Sequence, residues 1–152
     1  MPGFTREIKI AASVDEVWEV LADIGGICRW NPAVVYSEGT RGDKAGLGAG
    51  RHCSLGGKKY VDEEVVEWKP GERLTMRTVA TNLPVSSADI RFTLKDENCS
   101  TRVKVTPSYD VKFGTLGKLL DLLYLRRLYR SDTRILLGGL KRWLENGFLD
   151  DD

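Results

Sequence analysis

Histidine is all but missing from this chain, with one, His52, in 152 residues. A Ser-His-Asp or Cys-His relay needs that imidazole beside its nucleophile, so hydrolase chemistry depends on where a single side chain points. Cysteine is scarce too. Cys28, Cys53 and Cys99 are odd in number, far apart and free of any CxxC pair. That argues against a disulfide framework and a zinc site, and for a reduced, cytoplasmic setting. Charge of one sign is missing as well: the net charge is +1, with acids and bases interleaved, which gives no electrostatic case for nucleic acid as a partner. No apolar run reaches the roughly 20 residues of a membrane span; the richest stretch, LGKLLDLLYLRRLYR, is broken by Lys118, Asp121 and its arginines. The opening MPGFTREIKI has neither a charged-then-apolar leader nor a small-residue cleavage site. GLGAG at 46–50 leads toward a strand, not a helix, and lacks GK[ST], so it reads as a turn and not a phosphate loop. Asp62, Glu63 and Glu64 lie in a strand pattern, where neighbours diverge to opposite faces. No metal or other cofactor is expected.

What is present suits one domain over residues 1–152. Hydrophobic residues make up 41% and charged ones 30%, and a chain of this length buries roughly two-thirds of its unfolded surface. Ile8 and Ile10 alternate with Glu7 and Lys9, the period of a half-buried strand. Ser13-Val14-Asp15-Glu16 is a capping box, opening a short helix that buries Val17, Trp18, Leu21 and Ile24. Gly25-Gly26 should end it, leaving room for one further turn before Asn31-Pro32 forces the chain out. Between residues 33 and 112 lie six strand patterns parted by glycine-, proline- and asparagine-rich turns with no helix among them, so they should pair antiparallel. Residues 115–147 hold no proline and carry leucines at helical spacing. A helix there would run about 45 Å and cover one face of the sheet, with Gly138-Gly139 marking a weak point or a close-packing site. The expected fold is α+β: a seven-stranded curved antiparallel sheet wrapped around a long C-terminal helix, with two short helices after the first strand.

Several motifs occur where one known family has them: ASVDEVWEVLADI after the first strand, RWNP, GAGRHCSL, the EVVEWKPGERL run at 64–74, STRVKV and LKRWLEN. Along essentially its whole length the chain resembles the START-like, or SRPBCC, superfamily, and within it the polyketide cyclase/dehydrase-like subgroup related to pollen allergens. The resemblance implies a helix-grip fold with a deep cavity between sheet and long helix. It implies no single activity, because a fold hosts many.

Strand alternation proposes the lining. Arg51, Cys53 and Leu55 share a face; so do Tyr60, Asp62, Glu64, Val66 and Trp68, then Leu74, Met76 and Thr78, then Ala88, Ile90 and Phe92, then Val103, Val105 and Tyr109. An inward Arg51 needs a carboxylate, and this parity offers Glu64 or Asp62 unless a bulge slips the strand by one residue. Such a pair is either a polar anchor for a ligand or a structural bridge. The same parity turns His52 outward, away from any nucleophile. From the long helix, Leu116, Leu119, Leu120, Leu123, Leu128 and the hydroxyl of Tyr124 should face in. Trp30, beside a turn, either closes the mouth of the cavity or packs beneath the short helix as core. The mouth should gather the 30–32 corner, the 42–50 turn and Leu83-Pro84.

The expected function is binding or transport of a small hydrophobic molecule, a lipid, polyketide or aromatic, held by Trp30, Arg51, Cys53, Leu55, Tyr60, Glu64, Met76, Thr78, Ile90, Phe92, Val105, Tyr109, Leu116, Leu120 and Tyr124. The alternative implied by the resemblance is a polyketide cyclase, aromatase or dehydrase in which Arg51, Glu64 and Tyr109 steer enolisation or dehydration. Arg126, Arg127 and Arg130 could lie on a membrane surface or form an ordinary solvated helix face. Monomer and homodimer are both open.

Overall fold

A computed structural model of the chain describes residues 4–40, 45–83, 85–111 and 126–147. β1 (Arg6–Ile10) leads into α1 (Val14–Ala22), followed by a 3-10 segment (Ile24–Arg29). Then come β2 (Tyr36–Gly39), β3 (Gly50–Gly56), β4 (Lys59–Lys69), β5 (Arg73–Thr81), β6 (Val85–Asp96), β7 (Thr101–Val111) and α2 (Arg126–Asn146). The seven strands form one antiparallel sheet in the order β1-β7-β6-β5-β4-β3-β2. Each strand from β2 to β6 pairs with its successor, as short turns dictate, while β1 closes on β7. The link carrying α1 and the 3-10 segment therefore travels from one sheet edge to the other.

Local chemistry accounts for the elements. The Ser13 hydroxyl accepts the Glu16 amide at 3.2 Å, and Asp15 and Glu16 occupy the first turn, where the helix dipole favours acids. Val17 and Leu21, four residues apart, are buried, and Trp18 meets Trp68 edge to face at 5.1 Å. Gly25-Gly26 does not end the helix as its composition suggests, because α1 stops at Ala22 and both glycines lie inside the 3-10 segment. The reason is close approach: a Cβ on Gly25 would stand 2.8 Å from the Gly39 amide nitrogen of β2.

α2 lies against β1, where its Lys141 ammonium donates to the Lys9 carbonyl at 2.7 Å and its Glu145 carboxylate accepts the Ala11 amide at 3.3 Å. Gly138 and Gly139 differ. A Cβ on Gly138 would meet nothing within 4 Å, whereas one on Gly139 would lie 2.0 Å from the Trp30 carbonyl oxygen and 2.7 Å from the Pro32 ring. Gly139 is thus the point at which the long helix touches the RWNP corner. The stretch expected to begin this helix, including Leu116, Leu119, Leu120, Leu123 and Tyr124, lies outside the described residues.

Candidate functional site

The apolar interior is split. A main cluster under α1 and the end of α2 holds Ile10, Val17, Ile24, Trp30, Leu74, Met76, Phe92, Val105 and Leu140. A smaller one joins Val85, Ala88 and Tyr109 to Leu83, Leu128 and Tyr129. Between them, from the concave sheet to α2, runs a cavity of about 490 Å³, within the range of small-molecule sites. Its wall is largely apolar, with Ile27, Val34, Cys53, Leu55, Val61 and Ile90 from one side and Leu83, Leu128, Tyr129 and Leu136 from the other.

Each lining strand delivers alternate residues. Arg51, Cys53 and Leu55 of β3, Thr78 of β5 and Ala88 and Ile90 of β6 reach the cavity with the expected parity. β4 does not follow it. Arg51 pairs across the ladder with Glu63, Cys53 with Val61, and His52 with Asp62. Residues directly opposite share a face, so Val61 and Glu63 point inward, and Tyr60, Asp62 and Glu64 belong to the outer face. A bulge between Val65 and Glu67 explains the inversion: it inserts one residue, so Trp68 points in while Glu64, four positions earlier, points out. Arg51 accordingly pairs with Glu63, and neither Glu64 nor Asp62 is its partner. On the outer face the His52 ring stacks on Tyr60 at 5.9 Å and hydrogen-bonds Asp62.

The Arg51–Glu63 pair is a buried, charged feature of the cavity wall. The Arg51 Nε donates to Glu63 Oε1 at 3.0 Å with the side chains 5% and 13% exposed, and Nη1 donates to the Ile24 carbonyl at 3.3 Å. Beside it, burial pushes the Cys53 thiol up to about 12, so it is a neutral, inert lining group at physiological pH. Across the cavity, burial raises the Tyr129 phenol, whose ring stacks flat on Tyr109 at 4.3 Å. Desolvation also raises the Asp132 carboxyl, against the opposing pull of Lys59.

Other expected site residues fall elsewhere. Trp30 is 3% exposed and belongs to the main core, with the cavity lined instead by its neighbours Asn31, Ala33 and Val34. Met76, Phe92 and Val105 are buried in the same core and do not line the cavity. Tyr109 reaches the cavity through the Tyr129 ring stacked on it. The described part of the 42–50 turn, residues 45–50, does not line the cavity. Gly48 bonds the Val65 carbonyl at the far end of β3, and Lys58 and Lys59 of the opposite hairpin line the opening with Asn82 and Leu83. Glu63, Tyr129, Asp132 and Thr133 were missed by strand and leucine patterning, although Tyr129, Thr133 and Leu136 recur at helical spacing and could have been found by it. Among the described residues no group of three or more His, Cys, Asp or Glu comes together to hold a metal.

Residues 1–145 match the family described as "Polyketide cyclase / dehydrase and lipid transport". The chain belongs to that family. Solved structures agree on its fold. A protein from Thermus thermophilus superposes with a TM-score of 0.79 at 21% identity, covering 96% of this chain and 99% of that one. A START superfamily protein from Mycobacterium smegmatis gives 0.77 at 15% identity over 95% and 97%. Ara h 8.0201 gives 0.73 at 11% identity over 94% and 97%. No curated protein matches significantly in sequence. The helix-grip architecture is therefore that of the START-like superfamily, and the concave cavity lies where its sheet faces α2. Among the described residues no helix is long and apolar enough to cross a membrane.

Proposed function

We propose that this protein binds and carries a small hydrophobic molecule that has one hydrogen-bonding end. The observation carrying this reading is the cavity of about 490 Å³ between two separate apolar clusters, with a hydrogen-bonded Arg51–Glu63 pair in its wall. The apolar body of the ligand would lie along Cys53, Leu55, Ile90 and Leu136. Its carbonyl or hydroxyl would meet Arg51, Glu63 or Thr78. Membership of a family described partly by lipid transport supports it. Fluorescence titration with a conjugated polyene fatty acid and with a polyaromatic probe tests it: micromolar, saturable binding is expected, weakened roughly tenfold or more when Ala88→Phe fills the cavity. No binding of either probe by the wild-type protein, or equal binding by the filled variant, would overturn it.

A second reading, a cyclase or dehydrase acting on a polyketide-type chain, has its own support in the ionisable groups lining this cavity. The trio Arg51, Glu64 and Tyr109 does not converge, since Glu64 belongs to the outer face. Arg51 and Glu63, with Tyr129 and Asp132 across the cavity, are the groups available. Under this reading Glu63→Gln abolishes turnover of an oligoketide substrate while retaining its binding; for a pure carrier there is no turnover to lose.

A further inference from the structure

On the other side of α2 from the cavity is a second concavity, of about 480 Å³, lined by Arg6, Arg126, Arg127, Arg130, Ser131 and Arg134. Among the described residues no acidic side chain contributes to it. Arg127, Arg130 and Arg134 stand three and four residues apart on α2, a spacing that places them on one helix face, where like charges repel. Arg6 approaches from β1, on the strand face that also carries Phe4, Ile8 and the fully buried Ile10. Its Nε is buried without a hydrogen-bond partner. Among the described residues none of Arg6, Arg127, Arg130 and Arg134 forms an ion pair; Arg130 instead lies over the Phe4 ring at 5.8 Å. Elsewhere most of the described arginines are paired, as in Arg51–Glu63, Arg77–Asp89 and Arg102–Glu97, with Arg142 an exposed exception.

An ordinary solvated helix face accounts for arginines on α2 alone. It does not account for an arginine on the helix-facing side of a strand, its Nε sealed from water, adding its charge to theirs. A dianionic oxyanion resolves both features. Guanidinium forks match the oxygens of a phosphate, and a dianion held among several of them offsets their mutual repulsion.

We propose that this concavity is a phosphate site, taking the phosphate of a soluble ester or of an anionic phospholipid headgroup. Arg6 and Arg127 bracket it from strand and helix, with Arg130, Arg134 and the Ser131 hydroxyl completing the donors. The site lies outside the hydrophobic cavity and stands or falls independently of it.

The test is thermal unfolding of the full chain in inorganic pyrophosphate against sodium chloride of matched ionic strength, with flotation on phosphatidylcholine vesicles with and without phosphatidic acid. Pyrophosphate is expected to raise the melting temperature saturably, and Arg127→Gln/Arg130→Gln to weaken that binding roughly tenfold or more. Arg142→Gln, outside the concavity, should leave it intact. Stabilisation by pyrophosphate identifies a soluble phosphate as sufficient. Binding only to phosphatidic acid vesicles, lost in the same double variant, identifies the headgroup. Without added anion the double variant should melt no lower than wild type, because it relieves repulsion. Absence of both responses, equal binding by the double variant, or its melting well below wild type without anion would each overturn the assignment.

Discussion

Arg51 places a guanidinium on the cavity side of a strand, and the chain answers with Glu63 at 3.0 Å. Removing one partner leaves a desolvated charge, so Arg51→Met is expected to destabilise the fold by about 3–5 kcal/mol in urea titrations. Arg51→Met combined with Glu63→Leu should recover most of that loss. A double variant as unstable as the sum of the single ones would mean the pair has no coupling. At Cys53 the sign of the pH dependence follows from a thiol raised from 9.0 to about 12 in the fold. Between those values the unfolded chain has released a proton that the folded chain retains, so stability falls as pH rises through this window. The fall should be shallower in Cys53→Ala, as measured by urea midpoints at pH 8 and pH 11 (about the two sides of the thiol's unfolded value). At neutral pH a thiol reagent should label exposed Cys99 well before Cys53.

At the scale of elements, the two adjacent glycines of α2 separate propensity from packing. Gly138→Ala adds a methyl where nothing lies within 4 Å and removes the flexibility of a mid-helix glycine, so it should stabilise by about 0.5–1 kcal/mol. Gly139→Ala drives a methyl into the Trp30 carbonyl and the Pro32 ring and should destabilise by about 1–3 kcal/mol or more. Thermal melts of the two variants moving in the same direction would contradict the contact between α2 and the RWNP corner. That corner also explains the placing of Trp30. Its backbone is the surface on which α2 rests, and its indole fills the core beneath, so the cavity wall here is left to Asn31, Ala33 and Val34. In β4 the decisive feature is a single inserted residue, which reversed three side chains.

Across the whole molecule the sheet closes only when β1 pairs with β7, Arg6 opposite Val105, with every other strand lying between them in the chain. Such non-local closure requires a large loop entropy to be overcome before the pairing is rewarded. Refolding after a stopped-flow jump is therefore expected in milliseconds to seconds, and a microsecond phase that recovers all native signal would contradict it. Much of this architecture was written in the sequence. Alternation at Ile8 and Ile10, the Ser13 cap, the turn residues and the absence of a helix between 33 and 112 are local signals, each acting within a few residues, and they determined the strand count, the antiparallel pairing and the grip. The inward set on β3, β5 and β6 was legible for the same reason, because a period of two persists while the ladder is regular. Tertiary structure alone decided which carboxylate meets Arg51, since a bulge in β4 depends on how β5 pairs with it. It also decided that Tyr109 stacks behind Tyr129, that Trp30 is core, and that Arg6 joins the arginines of α2. All of these are contacts between segments far apart in the chain, where side-chain volume and strand register, and no neighbouring residue, set the outcome.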